Sequence, residues 1–492
     1  MMDNDKDIDD IVLLANPNYE EIGKVRECSL MFYLCLSQIL TQASIAQTIV
    51  IVEKINETFK VTKGEMTWFT AAYSMTVGTF ILMYGKLGDR FGYKNLLVIG
   101  YFCFSIFTIL CGISGLTEST IFLSIMRGLQ GMFGPAIIMP NTQAIIGSYY
   151  PDSFKKDICL ALFGAVAPTG FIIGALFSSM FAMLTWWPWT FWTSGIVCMI
   201  LHIFGYFIIP KHIGMKTKIK FDYWGTFFGT TGLILINFAF NQGANIGWTI
   251  PYVYILFIVG VLCMVVFVYI EHKVENGLIP LELLNCRTCF ILVCVGAGWS
   301  CFGIWLNYTF RWAIHIDKDT SILASVKNVP VIPSGFMAAI LTPWLLSKLP
   351  SSCVLFISTI AFLLSIILMG TRPVGQIYWA QKFISVLIMP IALDTSYPAA
   401  SISLSNFLPK ENQGIASSLV LTSINYSVAI GLGFSGAAEK YITLHKPTNN
   451  ETKLLGFRTG LKVGIGLAGF AVLLSIIFMY MQIKHNNKGK RL

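Results

Sequence analysis

Apolar stretches about twenty residues long recur along nearly the whole chain, and no other property restricts its fold as much. They lie at roughly 29–50, 67–86, 95–115, 120–147, 158–183, 187–210, 224–242, 251–271, 289–311, 325–347, 351–371, 376–404, 412–437 and 459–482. A run of that length crosses a hydrocarbon core as helix, and in lipid only helices and closed barrels satisfy their own backbone. The pattern predicts an all-α polytopic membrane protein with fourteen transmembrane helices. With 55% hydrophobic and 12% charged residues, and a mean hydropathy of +0.69, the composition is far from that of a soluble domain. The net charge of +9 does not point to nucleic acid, because Lys and Arg sit in short clusters between apolar runs and form no basic face.

Most of the twelve cysteines stand alone inside apolar segments and read as packed thiols. Cys286 and Cys289 form one C-x-x-C, but no second pair lies nearby to complete a four-ligand zinc site. No metal is expected. A phosphate-binding G-x-x-x-x-G-K-[ST] loop is also missing, so the sequence offers nothing for ATP-driven work and no cofactor is expected.

Residues 1–28 are acidic and read as a disordered cytosolic tail. They lack a basic region leading into an apolar core, so no cleaved signal is expected and the first span should act as the anchor. An even number of spans puts both termini on one side. The even-numbered loops and the tails carry about 20 Lys and Arg against about 12 in the odd-numbered loops, which assigns that side to the cytosol. The sequons at Asn56 and Asn450 then fall outside and are candidate glycosylation sites, whereas those at Asn307 and Asn425 fall within spans. The Lys-rich stretch 211–222 links a six-helix bundle (29–210) to two extra helices (within 211–288). A second six-helix bundle (289–483) and a cytosolic tail (484–492) follow, and transporters built this way place their site between halves near the midplane.

Gly85 to Lys94, GKLGDRFGYK, reads as a tight polar hairpin between the second and third spans. Gly85, Gly88 and Gly92 permit close approach and unusual dihedrals, and Asp89 can accept from a helix N-terminus or pair with Arg90 or Lys94. The alternative is a basic loop that only fixes topology.

In the fourth span, Arg127, Gln130 and Gly131 precede Gly134, Pro135, Pro140 and Asn141. A central Arg costs about 2.5–3.5 kcal/mol on insertion scales, so Arg127 should face the protein interior or a wet cavity, or else snorkel to the surface. The fifth span carries Gly164, Pro168, Gly170 and Gly174, a kink and small residues suited to close helix packing, with or without a functional role. In the twelfth, Asp394 lies between Pro390 and Pro398. A carboxylate in a helix broken by proline suits an ion or proton site; the alternatives are a cap on a half-helix or a pair with Lys382.

Asn141, Asn237, Trp305, Asn307 and Asn425 are candidates to line a pathway or to make interhelical hydrogen bonds. Asn241 and Gln242 lie near a span end where they can meet water. Trp186, Trp187 and Trp189 read as interfacial anchors and His202 as a satisfied core histidine.

The hairpin resembles the G-x-L-a-D-r-x-G-r-k signature of the major facilitator superfamily, with Tyr93 where that signature often has Arg. Arg127 to Gly131 resembles the R-x-x-q-G motif of the same superfamily. Gly164 to Ala175 resembles the antiporter motif G-x-x-x-G-P-x-x-G-G, with Val166, Phe171 and Ala175 in place of its first Gly, Pro and last Gly. Together with 185–192, 236–248, 302–310 and 396–433, these stretches make the chain similar to the fungal fourteen-helix drug:proton antiporter family. Within it the chain resembles the branch of the yeast low-affinity ammonium transporter and aminotriazole-resistance permease. The resemblance implies a major-facilitator fold in a 6 + 2 + 6 arrangement and a plasma-membrane carrier of small solutes. It also implies a hairpin that latches the two halves and a proton-coupling role for Arg127, to which the residues themselves add Asp394.

Expected partners are a small-molecule substrate, protons and the lipid bilayer, with a monomer as the working unit. The altered motif keeps a proton-independent facilitator open beside an antiporter. A nutrient sensor would need a cytosolic output beyond tails of roughly 28 and 10 residues. An intramembrane enzyme would need a Ser/His or His/Asp/Glu cluster that the spans do not show.

Overall fold

The computed structural model describes residues 23–60, 63–150, 154–210, 221–274, 277–279, 283, 285–406, 413–447 and 449–489, and no strand occurs among them. The helices of the first half are α1 (Lys24–Ile49), α2 (Val52–Phe59), α3 (Lys63–Phe91), α4 (Tyr93–Thr117), α5 (Thr120–Phe133), α6 (Pro135–Tyr149), α7 (Phe154–Leu184) and α8 (Trp189–Ile208). An extra pair follows, α9 (Tyr223–Ile246) and α10 (Pro251–Glu271). The second half comprises α11 (Cys286–His315), α12 (Ser321–Val326), α13 (Val331–Lys348), α14 (Ser351–Gly370), α15 (Gln381–Ser405), α16 (Gln413–Thr443) and α17 (Asn450–Gly489).

Among the described residues, twelve helices or in-line helix pairs are long and apolar enough to cross a membrane. Helices α3 and α9, with 29 and 24 residues, complete the fourteen crossings expected. Both fall short on hydropathy because they carry Ser, Thr, Asn and Gln on faces turned to other helices or to the space between the halves. The fourth crossing is α5 and α6 in line, interrupted at Gly134, where Pro135 starts the second piece. The tenth is α12 and α13, separated around Pro330.

In the first half α1 packs on α7, α4 on α8, and α3 on α5 and α6. In the second, α14 packs on α15 and α17, while α11 packs on α16 and α17. The α9–α10 pair leans on α16 and α3. The halves meet along two seams, α3 against α16 and α7 against α12 and α13.

Lipid supplies no hydrophobic drive between helices, so these contacts depend on small residues that let backbones close up. A Cβ on Gly170 would lie 2.6 Å from the Cα of Ile39, and one on Gly174 2.5 Å from that of Ala43. Those glycines are therefore the α1–α7 contact. Gly78 does the same at the α3–α16 seam against the backbone of Tyr426, and Gly335 of α13 sits against the Pro168 ring.

Four sequence expectations change. Helix α1 already starts at Lys24, inside the stretch read as a tail to residue 28, and α17 continues to Gly489, past the boundary at 483. Residues 1–22 lie outside the described residues. The polar hairpin shrinks to a single residue, Gly92, at φ 92°, with Gly85 and Gly88 still inside α3. Neither Pro390 nor Pro398 breaks α15. The carbonyl that Pro398 leaves without an amide is that of Asp394, and the Thr342 hydroxyl of α13 donates to it at 3.2 Å. Finally, Trp187 is no surface anchor: it is 3% exposed and its indole donates to Thr58 Oγ1 at 3.0 Å.

The α1–α7 contact yields a contrast of two glycines. Gly174→Val should overpack the interface by about 1–3 kcal/mol and lower the thermal transition of the detergent-solubilised protein. Gly164→Ala, where nothing lies within 4 Å of the added carbon, should leave it unchanged.

Candidate functional site

Between the halves lies a cavity of roughly 2890 Å³. It runs from Lys86, Asp89 and Ser405, at the end carrying the chain termini, to Glu53, His315 and Lys453 at the distal end. Asp394 lines it where the α7–α13 seam passes. A Cβ on Gly335 would meet Asp394 Oδ2 at 3.6 Å and the Pro168 ring on its other side. Asp394 Oδ2 is buried and has no hydrogen-bond partner among the described residues. The expected alternative of a pair with Lys382 is not formed. That ammonium, fully buried, lies 4.0 Å from Asp317 Oδ2 at the distal end of the second half, where Arg372 holds the same carboxylate at 2.7 Å. A buried carboxylate without a partner draws a proton or a cation from what enters the cavity. One turn further on, Tyr397 donates to Gln143 of α6 at 3.2 Å, a polar link between the halves.

Arg127 is 0% exposed and points neither at lipid nor into the cavity. Its guanidinium donates to Phe69 O at 2.9 Å, Gln130 Oε1 at 2.5 Å and Thr48 Oγ1 at 3.3 Å, with its carbon 4.3 Å from the Tyr73 ring centroid. Gln130 passes the chain on to Thr108 at 2.8 Å. Gly131 lets α3 come close, since a Cβ there would reach Tyr73 O at 2.5 Å. Among the described residues Arg127 has no carboxylate partner. The network ties α1, α3, α4 and α5 of the first half together.

At the terminal end, Tyr93 donates to Asp89 Oδ1 at 2.6 Å, so the tyrosine in the place of an arginine takes up the carboxylate. Asp89 lies in the last turn of α3, half-buried. Lys94 donates to Tyr206 O at 2.8 Å and Ile209 O at 2.5 Å. Arg90 reaches Tyr223 Oη at 3.5 Å, and Lys86 donates to Gly277 O. The hairpin thus reaches the ends of α9 and α10. Asn141 serves it as well: it donates to Tyr84 O at 3.4 Å and Ile137 O at 2.7 Å, and Gly88 leaves room for its amide.

Asn307, Asn425, Gly85 and Gly164 line the cavity. Asn237, whose amide donates to Tyr426 O at 3.3 Å, and Trp305, which donates to Ser385 Oγ at 2.7 Å, are packed away from it. Asn241 is 1% exposed rather than wet, while Gln242 lines the cavity and accepts from Trp68 at 3.1 Å. His202 is satisfied by Val98 O at 2.9 Å. Cys286 and Cys289 are exposed, and no metal-binding group of three or more His, Cys, Asp or Glu occurs among the described residues.

Sequence reading missed a distal cluster. Arg311 forks on Glu439 at 2.6 and 2.7 Å, Tyr308 donates to the same carboxylate at 2.8 Å, and His315 Nε2 lies 2.8 Å from Glu53 Oε1. Arg311 and Glu439 fell at or beyond the ends of the apolar windows and so looked like loop charges. Helices α11 and α16 in fact continue past those windows and hold both on the cavity wall.

Comparison with known proteins agrees with this geometry. The family model for the Major Facilitator Superfamily matches residues 34–278. An uncharacterised MFS-type transporter of Schizosaccharomyces pombe is 43% identical over 458 residues, covering 92% of this chain and 87% of the relative. The low affinity ammonium transporter of Saccharomyces cerevisiae is 41% identical over 471 residues, covering 94% and 90%. In fold, the chain is similar to a crystal structure of a POT family transporter in complex with 5-aminolevulinic acid. The TM-score is 0.67 at 15% identity, covering 96% of this chain and 99% of that one.

Arg127→Ala would remove the charge-assisted hydrogen bonds to the Phe69 carbonyl and the Gln130 amide oxygen in a dry interior, a loss of about 1.5–3 kcal/mol for each. Its thermal transition should fall well below that of Asn307→Ala, whose side chain faces the cavity.

Proposed function

The chain belongs to the major facilitator superfamily, and on that premise we propose that it carries a small solute across the plasma membrane by alternating access, coupled to protons through Asp394. The observation that carries this reading is a buried carboxylate oxygen, without a protein partner among the described residues, on the wall of a cavity that spans the interface between halves. Two bundles, α1–α8 and α11–α17, rock about that cavity, and the 85–94 hairpin gates the end carrying the termini. The seams combine close backbone approach at Gly78 and Gly335 with apolar packing such as Phe171 against Phe310 at 6.1 Å, contacts that a rocking motion would have to part and re-form.

Protonation of Asp394 removes the need for a counter-charge at the seam, and deprotonation restores it, so proton and substrate compete for one carboxylate. Arg127 acts at a distance, by holding α3 and α5 in register. The likeness to a relative named as an ammonium transporter makes small weak bases the first substrates to try, with drug-like compounds next. A proton-independent facilitator is the second reading, favoured by the altered α7 motif, whose Gly170 and Gly174 are engaged in packing with α1.

Uptake and efflux of methylammonium in cells lacking their own carriers, with and without a proton gradient, separate the two readings. Asp394→Asn should abolish the response to the gradient at unchanged surface expression. An unaltered gradient response would remove Asp394 from the mechanism and favour the facilitator.

Both termini are cytosolic on this reading, and the distal end faces outward. Asn450 is exposed at the start of α17 there, whereas Asn56 is half-buried in α2 on the cavity wall. Endoglycosidase should therefore shift the native chain on a gel, and Asn450→Gln should remove most of that shift. A chain that never carries a glycan at Asn450 would argue for the opposite orientation.

A further inference from the structure

The distal mouth of the cavity carries a contact that the coupling scheme does not use. Glu53 belongs to α2, in the first half, and His315 to the last turn of α11, in the second; both line the cavity, and Nε2 lies 2.8 Å from Oε1. We propose that this pair is the distal latch, the contact that closes the outward mouth and must part for it to open. The proposal rests on the alternating-access reading.

Each partner is braced within its own half. Helix α2 is pinned by fully buried Ile55, by the Trp187 indole donating to Thr58 at 3.0 Å, and by the Phe59 ring against Phe69 and Trp187 at 6.0 and 5.8 Å. His315 stacks near Phe457 of α17 at 6.0 Å, one turn beyond Arg311, which is itself forked on Glu439. When the halves separate, neither side chain can follow the other.

Two contacts stand close together here, and exposure decides which of them opens. Arg311 and Glu439, 18% and 9% exposed, form a bidentate pair within one half. Parting them would strand buried charge. His315 and Glu53, 22% and 34% exposed, make a single hydrogen bond that water can replace on both sides. A latch has to be weak enough to release thermally, and that describes the second pair.

The test reads accessibility rather than flux. A cysteine at Asn307, deeper on the cavity wall, is labelled with a membrane-impermeant maleimide applied to each side of sealed vesicles in turn, with the chain lacking that cysteine as baseline. Glu53→Gln and His315→Gln should each raise distal-side labelling about two- to fivefold, the size of weakening one side-chain contact at a partly wet surface. The swapped pair, Glu53→His with His315→Glu, should bring it back toward the native rate. Native-rate labelling in both single variants, or a swap that labels as fast as they do, overturns the latch.

As a second measurement, oxidation of the Glu53→Cys/His315→Cys chain should stop methylammonium flux and reductant should restore it. Flux that persists while the two are cross-linked also overturns it. Absence of flux in the native chain would instead sink the carrier reading and leave the labelling result standing.

Discussion

Everything in this molecule answers to one condition: a polar group inside the bilayer core has no water to bond. The condition makes every crossing a helix, and it also explains the irregular places. Pro398 frees the carbonyl of Asp394, and a threonine from the neighbouring helix takes it. Arg127 is surrounded by a carbonyl, an amide oxygen, a hydroxyl and an aromatic face, so its charge is solvated by dipoles rather than by a counter-ion. Asp394 Oδ2, by contrast, is buried on the cavity wall with no hydrogen-bond partner among the described residues.

The same solvent sets how the helices hold together. Lipid tails are as apolar as leucine, so association depends on close packing and interhelical hydrogen bonds. Within each half these contacts are dense: glycines bring α7 against α1, and the Arg127 network ties four helices. Between the halves they are sparser, resting on small-residue seams and single polar bridges such as Tyr397 to Gln143 and Glu53 to His315. Cohesion thus lies mostly inside each bundle, and the two bundles meet along fewer helix pairs.

Much of this was readable beforehand. Segment length and polarity alone gave the crossings, and the motifs around Gly85, Arg127 and Gly164 gave the family. Arg127 was expected to avoid lipid, and it does. What could not be read was the company each residue keeps. Tyr93 looked like a lapse from a motif, yet it bonds Asp89. Asn141, Asn237 and Trp305 could have lined a pathway or joined helices, and they hold helices together. Arg311 and Glu439 were passed over as loop charges because hydropathy windows stop where polar residues begin, whereas helices need not.

The sequence by itself determined the number and order of the crossings and the presence of a few ionisable side chains among them. It could do so because burial in hydrocarbon imposes a length and a composition on each segment separately. Tertiary packing decided which face of each helix looks inward, that Asp394 Oδ2 has no hydrogen-bond partner among the described residues while Lys382 lies 4.0 Å from Asp317, and that Gly92 alone makes the turn. Those outcomes depend on rotation and close approach between helices far apart in the chain, which hydropathy along a single segment does not encode.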